Sequence, residues 1–362
     1  MKYVTEWSIA LQEISPAWWR SRMRRYWRNQ KAKHLDNGAV LSDIQKKAVH
    51  GFWDRYRKPS DIFHLFYTQK TGHFHVEYLP DEIYSIYIDP FYNDKNLAKW
   101  LDDKSLYDSI LVDCKQVIKQ PENIVIRSGG YWLTPDFSLL SESQVMEYIK
   151  SAGEIFVKQS IDSYGGHGVQ YINTSEISDA TICNKLQLGG GNVVIQKKII
   201  QHQLLSKLNP SSVNTLRLLS FLKPDGEVKI YSVVLRMGLA GSVVDNASSG
   251  GITVGVQDDG RLKDVAYTAN GDRFNKVHPD SKVEFSSIVV PKFREIKEAV
   301  KRLHLRLPRL RLLSWDFAVD RDETPILIEV NMNRGELDFH QLNNGPLFGE
   351  DTETILNEVF GK

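Results

Sequence analysis

Apolar and polar positions are most legible near the end of the chain. Leu312–Val319 (LLSWDFAV) and Pro325–Asn331 (PILIEVN) are apolar runs joined by the acidic turn 320–324, and together they predict a β-hairpin. Residues 216–222 and 228–236 flank Pro224-Asp225-Gly226 and predict a second hairpin. Ile296, Val300 and Leu303 recur at helical spacing over 291–303, with Pro291 at the first turn. Thr352–Phe360 predicts a terminal helix, reached through a polar loop. Residues 154–158 (EIFVK) predict a strand, followed by a glycine-rich loop and another strand at 169–172; 193–200 (VVIQKKII) is a further strand. Ser141 and Gln144 have capping-box spacing for a helix over 139–150 with Val145, Tyr148 and Ile149 on one face. Residues 124–127 predict a short strand closing on a Gly129-Gly130 turn, and 93–110 a helix through Leu97, Trp100, Leu101, Leu106 and Ile110. Residues 1–60 read as helices, with Trp19, Met23 and Trp27 on one face, whereas 73–77 and 84–88 alternate and predict strands or extended segments.

Composition adds limits. A chain of 362 residues with 41% hydrophobic and 25% charged residues suits a soluble globular protein of two or three packed units. A net charge of +1 gives no global attraction to nucleic acid or anionic membrane. Two cysteines, Cys114 and Cys183, make no disulfide framework and have no metal spacing, which fits a reducing, cytoplasmic setting. The first residues show no signal-peptide core and no run reaches the length of a membrane span. One stretch stands out: between Arg20 and Lys33 there are seven Lys/Arg and no acid. It reads either as an amphipathic helix with solvated arginines or as a docking surface for an anionic partner, such as a lipid head group at a membrane, a glycolipid or a nucleotide-sugar. His73 and His75 would share a face, but no third metal ligand lies near them in sequence.

Three clusters could carry chemistry. Asp316, Glu329 and Asn331 sit in the C-terminal hairpin, where an ionised carboxylate is costly unless paired or bound to a cation. Glu329 and Asn331 share a face, and the hairpin brings Asp316 alongside, giving hard oxygen ligands suited to Mg²⁺; the alternative is a solvated strand end. Lys158 precedes a loop holding Gly165, Gly166 and Gly168, whose backbone N–H groups can turn toward an anion, unless the loop is merely a flexible turn. No Gly-Lys-Ser/Thr follows, and a strand rather than a helix comes next, so it is neither a Walker A loop nor a dinucleotide fingerprint. Arg217 and Arg236 lie in apolar strands and require anionic partners, either a phosphate or an acid such as Asp245 or Glu329. Asn246, followed by Gly250-Gly251, adds an amide donor beside an open backbone.

This order of parts resembles the ATP-grasp superfamily of carboxylate–amine ligases, over about residues 104–333. The segment 209–217 (NPSSVNTLR) is similar to the sugar-transfer-associated branch, linked to surface-polysaccharide synthesis. The resemblance implies an α+β, ATP-grasp fold with the nucleotide between two α/β subdomains and a helical N-terminal extension. The expected units are 1–92, a Trp/Arg-rich helical region; 93–135, the rest of the first subdomain; 136–197, the lid; and 198–362, the C-terminal subdomain with the metal site. It implies that Lys104 and Lys158 bind the nucleotide phosphates, that Gly165, Gly166, His167 and Gly168 form the lid loop, and that Gln196 starts a hinge whose backbone, Lys197, Lys198 and Ile199, pairs with adenine. Gln201 or His202 would reach the ribose. Asp316, Glu329 and Asn331 would hold one or two Mg²⁺, replaceable by Mn²⁺. Arg236 and Arg217 would steady the transferred phosphoryl group, and Asn246 would meet the acyl-phosphate or the acceptor. Three features depart from the family pattern: Gln196 and Gln201 stand where many relatives have glutamate, Met332-Asn333-Arg334-Gly335 replaces small residues and a proline and directs Arg334 toward substrate, and residues 1–90 are less sheet-like than the usual first subdomain.

The implied activity is an ATP- and Mg²⁺-dependent ligase. A carboxylate on a sugar or glycan precursor would take the γ-phosphoryl group, and an amine or amino acid would then form an amide. The absence of a Ser/Cys/His nucleophile constellation in the sequence fits this scheme. Two other classes compete: a phosphotransferase acting on a hydroxyl, and a nucleotide-binding regulatory protein without turnover. The expected partners are small carboxylates and amines or sugar-linked substrates, not nucleic acid. The sequence leaves the two substrates and the oligomeric state open.

Overall fold

The computed structural model describes residues 16–107, 118–161, 168–186, 192–239, 250–332 and 335–362. Cys114, Gly165, Gly166, His167, Asn246 and Arg334 lie outside the described residues, as do the ends of several expected segments. The described residues begin with α1 (Pro16–Ala32), α2 (Asp43–Trp53, opened by a Ser42–Gln45 capping box) and α3 (Ile62–Thr71). A helical stretch over 81–92 follows, then α4 (Lys95–Leu101), whose N–H groups at Asn96 and Leu97 are capped by Asp94. Next come β1 (Asn123–Ser128), β2 (Tyr131–Leu133), α5 (Glu142–Ala152), β3 (Glu154–Gln159), β4 (Val169–Asn173), α6 (Asp179–Leu186) and β5 (Val193–Lys197). The last part holds β6 (Thr215–Leu222), β7 (Val228–Met237), β8 (Ile252–Val256), β9 (Leu262–Thr268), β10 (Arg273–Asn275), α7 (Phe293–His304), β11 (Leu312–Val319), β12 (Pro325–Asn331), α8 (Asp338–Asn344) and α9 (Thr352–Phe360).

The architecture is α+β, with two sheets among the described residues. A five-stranded antiparallel sheet runs β2-β1-β5-β3-β4, and a seven-stranded one runs β10-β9-β8-β7-β6-β11-β12. The small sheet packs one face on α5 and α6 through Val125, Val145, Ile149, Ile155, Val157, Ile182 and Ile195. Residues 123–133, expected with the first subdomain, therefore share the sheet of the expected lid. The large sheet packs one face on α7, where Ile296, Val300 and Leu303 meet Leu216, Leu218, Leu235, Trp315 and Phe317. Each such aliphatic side chain contributes roughly 1.5–3 kcal/mol by leaving water. Part of the opposite face is covered by the N-terminal helices and α9, through Trp53, Ile83, Ile88, Leu219, Phe221, Leu312 and Ile355. The N-terminal region is thus a layer on the large sheet.

The hairpins, the Ser141–Gln144 capping box and the terminal helix match the sequence expectations. The Gly129-Gly130 turn does too, with φ of 58° and 88°, values that favour glycine. Residues 84–88 do not form a strand: Tyr84–Ile88 is a π-helical turn inside the stretch 81–92. Leu79, Ile83, Ile88 and Tyr92 all enter one core at nearly helical spacing, and a helix buried on most sides imitates alternation. Residues 73–77 are not a strand either, and the strand from Val193 ends at Lys197. Tyr148 is exposed rather than on the buried face of α5. The basic run of α1 is only partly solvated: Arg24 donates to Tyr87 at 2.7 Å, Arg28 pairs with Glu82 at 2.8 Å, and Lys31 is buried. Among the described residues no helix is long and apolar enough to cross a membrane.

Candidate active site

Strand alternation builds the site. Along β11, Leu313, Trp315, Phe317 and Val319 face α7, so Ser314 and Asp316 must face the other way. Along β12, Leu327 and Val330 both face α7 although three residues apart. A register shift opposite Asp316/Phe317 inserts the extra residue, and Glu329 and Asn331 thereby turn to the Asp316 side. Direct cross-strand pairing then aligns Arg217, Asp316 and Glu329 on β6, β11 and β12. Arg236 on β7 pairs with Thr215, which places it diagonally beside Arg217.

The side chains interlock. Arg217 grips Asp316 with two bonds, Nε to Oδ1 and Nη2 to Oδ2, each 2.6 Å. Arg236 Nη1 adds a third at 3.2 Å, and Asn331 Nδ2 lies 3.4 Å from Asp316 Oδ2. Both arginines thus bind Asp316, and Asp245 lies outside the described residues. Burial alone would raise the Asp316 carboxyl; Arg217 and Arg236 outweigh it and hold it below the usual carboxylate value. Glu329 accepts from Lys104 Nζ at 2.9 Å. Burial would lower the Lys104 ammonium, but Glu329 more than compensates and raises it. The Lys104 backbone N–H bonds Ser160 O at 2.9 Å, which ties this turn to the end of β3. Sequence reasoning missed three neighbours: Glu336, 3.1 Å from Arg217 Nη1; Phe339, whose ring lies 5.5 Å from the Arg217 guanidinium; and Ser314, whose buried Oγ has no partner. Only the strand parity of Ser314 was readable.

The donor chemistry fits a hard cation: two carboxylates and an amide oxygen share one face, and each carboxylate already attracts a cationic side chain. Asp316, Glu329 and Asn331 would hold Mg²⁺. No group of three or more His, Cys, Asp or Glu side chains forms an alternative metal cluster among the described residues.

In the small sheet, Ile155, Val157, Val193 and Ile195 face its own core, so Phe156, Lys158, Val194 and Gln196 face away from it. Lys158 is half-buried there. Gln196 donates Nε2 to Asn123 Oδ1 at 2.9 Å, while its buried Oε1 has no partner. An orphaned acceptor on this strand suits the exocyclic amine of an adenine. The N–H groups of Lys197 and Lys198 donate to Glu122 O and Glu154 O at 2.9 and 3.0 Å, and the Lys198 side chain turns to Glu154. His202 Nδ1 accepts from the N–H of Leu204 at 3.1 Å, capping a short helix. Gln201 bonds Asn209 O at 2.9 Å, Ser212 O at 2.7 Å and the N–H of Asn214 at 3.1 Å. The polar residues of 209–214 therefore lock one another and fix the entry to β6, which positions Arg217. Gly168 ends the glycine-rich loop at φ 77°, where an added Cβ would meet Gln159 Oε1 at 3.0 Å.

Gly335 lies where the row of polar side chains ends. A Cβ there would stand 2.6 Å from Ser314 Oγ. Gly335→Ala is expected to destabilise the fold by about 1–3 kcal/mol through overpacking, measured by urea unfolding; an unchanged midpoint would show that the contact yields freely.

Comparison with known proteins gives the following. The sequence model of the sugar-transfer associated ATP-grasp family matches residues 85–356, well over half of the chain. No curated protein matches the sequence. Among solved structures, the chain is similar to the ADP complex of an N5-carboxyaminoimidazole ribonucleotide synthetase at 9% identity and a TM-score of 0.41, covering 65% of this chain and 46% of that one. It is also similar to the biotin carboxylase domain of 2-oxoglutarate carboxylase from Hydrogenobacter thermophilus, determined with MgADP, ADP and bicarbonate, at 11% identity and a TM-score of 0.45, covering 75% of this chain and 48% of that one. A D-alanyl-alanine synthetase A from Vibrio cholerae O1 biovar eltor matches at 11% identity and a TM-score of 0.40, covering 78% and 67%. The chain spans less than half the length of the first two.

Proposed function

The chain belongs to the sugar-transfer associated ATP-grasp family, and on that premise we propose that it is an ATP- and Mg²⁺-dependent carboxylate–amine ligase acting in the cytoplasm on a sugar or glycan precursor. The observation that carries the reading is the aligned row Arg217–Asp316–Glu329, with Asn331 and Lys104 against it. It offers a hard-cation site and two guanidinium groups on the same sheet face, with no nucleophilic side chain among them. Such a site catalyses by positioning and electrostatics.

Mg²⁺ at Asp316, Glu329 and Asn331 would neutralise charge on the nucleotide phosphates. Lys104 and Lys158 bind phosphate oxygens, and the Gln196–Ile199 strand end receives the adenine. A substrate carboxylate oxygen attacks the γ-phosphorus; the bond to the β-phosphate oxygen breaks, and ADP leaves with the electron pair. Arg236 and Arg217 hold the phosphoryl oxygens in line. An amine nitrogen then attacks the acyl carbon, inorganic phosphate leaves, and the amine loses its proton. Gly165, Gly166, His167 and Gly168 close over the site and keep water from the acyl-phosphate. Asn246 would meet the acyl-phosphate or the acceptor, and Arg334 would face substrate; both lie outside the described residues. The outer face of α1 presents Trp18, with Arg22 stacked 5.4 Å from its ring, and exposed Arg20 and Arg25; this supports contact with an anionic head group, as a glycolipid-linked substrate would supply.

The test incubates the protein with ATP, Mg²⁺, hydroxylamine and a panel of uronic and amino acids. Carboxylate-dependent acyl-hydroxamate and ADP are expected together. ATP consumption with phosphate appearing on a hydroxyl, and no hydroxamate, would replace the ligase by a phosphotransferase; a protein that binds ATP without turnover would be regulatory.

A further inference from the structure

Helix α8 ends a chain of hydrogen bonds whose polarity follows from the donor at its far end. Lys263 Nζ, which can only donate, bonds Asn344 Oδ1 at 2.7 Å and Asn343 O at 3.0 Å. That identifies the oxygen of the Asn344 amide. Its Nδ2 donates to Ser232 Oγ at 2.7 Å and to Val233 O at 3.2 Å. Ser232 has a single hydrogen, and its other neighbour at bonding distance is His340 Nδ1, 2.7 Å away. Because the Asn344 amino group cannot accept, the Ser232 hydroxyl donates to His340 Nδ1. The reverse arrangement would leave both a hydroxyl hydrogen and a ring lone pair unsatisfied in the interior. The imidazole therefore carries its proton on Nε2.

That N–H is buried and has no partner. An unpaired buried donor costs about 1–3 kcal/mol, which evolution tolerates most readily where a ligand relieves it. The surroundings say what the ligand is. Ser232 and Arg236 lie on the same face of β7, and Phe339, the residue before His340, carries the Arg217 guanidinium on its ring. Burial, Arg217 and Arg236 pull the imidazole down to about 3, so it stays neutral and Nε2 stays a donor at every physiological pH. Asp316 pairs both guanidinium groups and opposes their effect on the imidazole, and a neutral donor beside two cations that share this carboxylate is complementary to a further anion.

We propose that His340 Nε2–H, with Arg217 and Arg236, forms the subsite that binds the carboxylate of the acyl substrate. Its identification as the substrate carboxylate rests on the ligase reading; the anion subsite itself does not. His340 is then a binding residue of the reaction, supplied by a helix that sequence reasoning took for a loop.

The test is nitrogen NMR of the full chain labelled with ¹⁵N-histidine, using His340→Gln to assign the signals. Acetate is the carboxylate probe, added with Mg²⁺ and the non-hydrolysable analogue AMPPNP already bound. The expected result is an Nε2–H tautomer whose Nε2 signal moves on adding acetate. In Ser232→Ala the Nδ1–H tautomer should appear, because the serine no longer donates. An Nδ1–H tautomer in the unmodified protein would overturn the proposal. So would an Nε2 signal that acetate does not move beyond any shift AMPPNP alone produces, since Arg217 and Arg236 also hold the γ-phosphoryl oxygens. Failure of the hydroxamate assay with an intact acetate response would discard the ligase and leave the anion subsite standing.

Discussion

Asp316→Asn is expected to lower ATP-dependent turnover by about a thousandfold or more and, in addition, to destabilise the fold by about 3–5 kcal/mol. The second effect is the more telling. Removing a carboxylate from a cluster of like charges commonly stabilises a protein, because function had been maintained at the expense of stability. Here the carboxylate is buried and bound by two buried guanidinium groups, Arg217 at 2.6 Å and Arg236 at 3.2 Å. An asparagine offers one neutral oxygen in place of two charged ones, and it leaves Arg217 with Glu336 and Phe339 but without its buried counter-ion. Chemical unfolding in the absence of nucleotide reads the effect directly; an Asp316→Asn chain as stable as the parent would mean that the ion pairs contribute nothing to the fold. Acid adds an independent check. The folded Asp316 carboxyl is depressed, so its stabilisation is complete above about pH 4, near the ordinary aspartate value, and is lost as pH falls through the folded pKa. Below about pH 4 the parent should therefore lose stability faster than the variant.

The site was legible in proportion to how local its determinants are. The C-terminal hairpin is written in two apolar runs and a turn, and parity puts Glu329 and Asn331 on one face; the bulge opposite Asp316 and Phe317, which turns that face to the Asp316 side, is not readable from the pattern. What parity could not supply was the partner of Arg217, because Asp316 meets it across strands separated by most of the C-terminal part of the chain. The strand β8 was missed for a related reason. Its sequence ITVGV carries Gly255 in the middle, a poor strand residue in isolation. In the structure a Cβ there would meet Asn344 Oδ1 and Lys263 Cδ, each at 2.8 Å, so the glycine admits the Lys263–Asn344 bond. The motif 209–217 was recognisable as a pattern, but its hydrogen bonds to Gln201 show that Asn209, Ser212 and Asn214 serve the loop, whereas Arg217 reaches the site. Residues 81–92 were misread because burial on most sides of a helix removes the polar stripe by which periodicity is recognised.

The second large effect is expected at Lys31, far from the site in sequence and held against the helix that borders it. Its ammonium lies 3.0 Å from Asp81 Oδ1 and 2.5 Å from Asp338 Oδ1, with the rings of Phe66 and Tyr67 at 4.6 and 5.3 Å. Burial would lower this lysine, but the two carboxylates outweigh it and raise it, so it stays charged. One cation faces two acids, and the acids divide the task. Burial drives Asp81 well up, toward its protonated form, whereas Lys31 overcomes burial at Asp338 and keeps that carboxyl ionised. Lys31→Met leaves two carboxyls without a cation, at a cost of about 3–5 kcal/mol. The sign of the pH dependence then identifies the cause. In the variant both folded pKa values stand above the unfolded ones, so protonation relieves the repulsion and stability should rise as pH falls from 8 toward 5. Adding Asp338→Asn to Lys31→Met should recover most of the loss at pH 8, as a double-mutant cycle would read it; a loss without pH dependence or rescue would point to a packing defect instead. Asp338 opens the helix that carries Phe339 and His340. The variant should therefore lose turnover while still folded at pH 6, because the helix presenting His340 would no longer be anchored at its first residue.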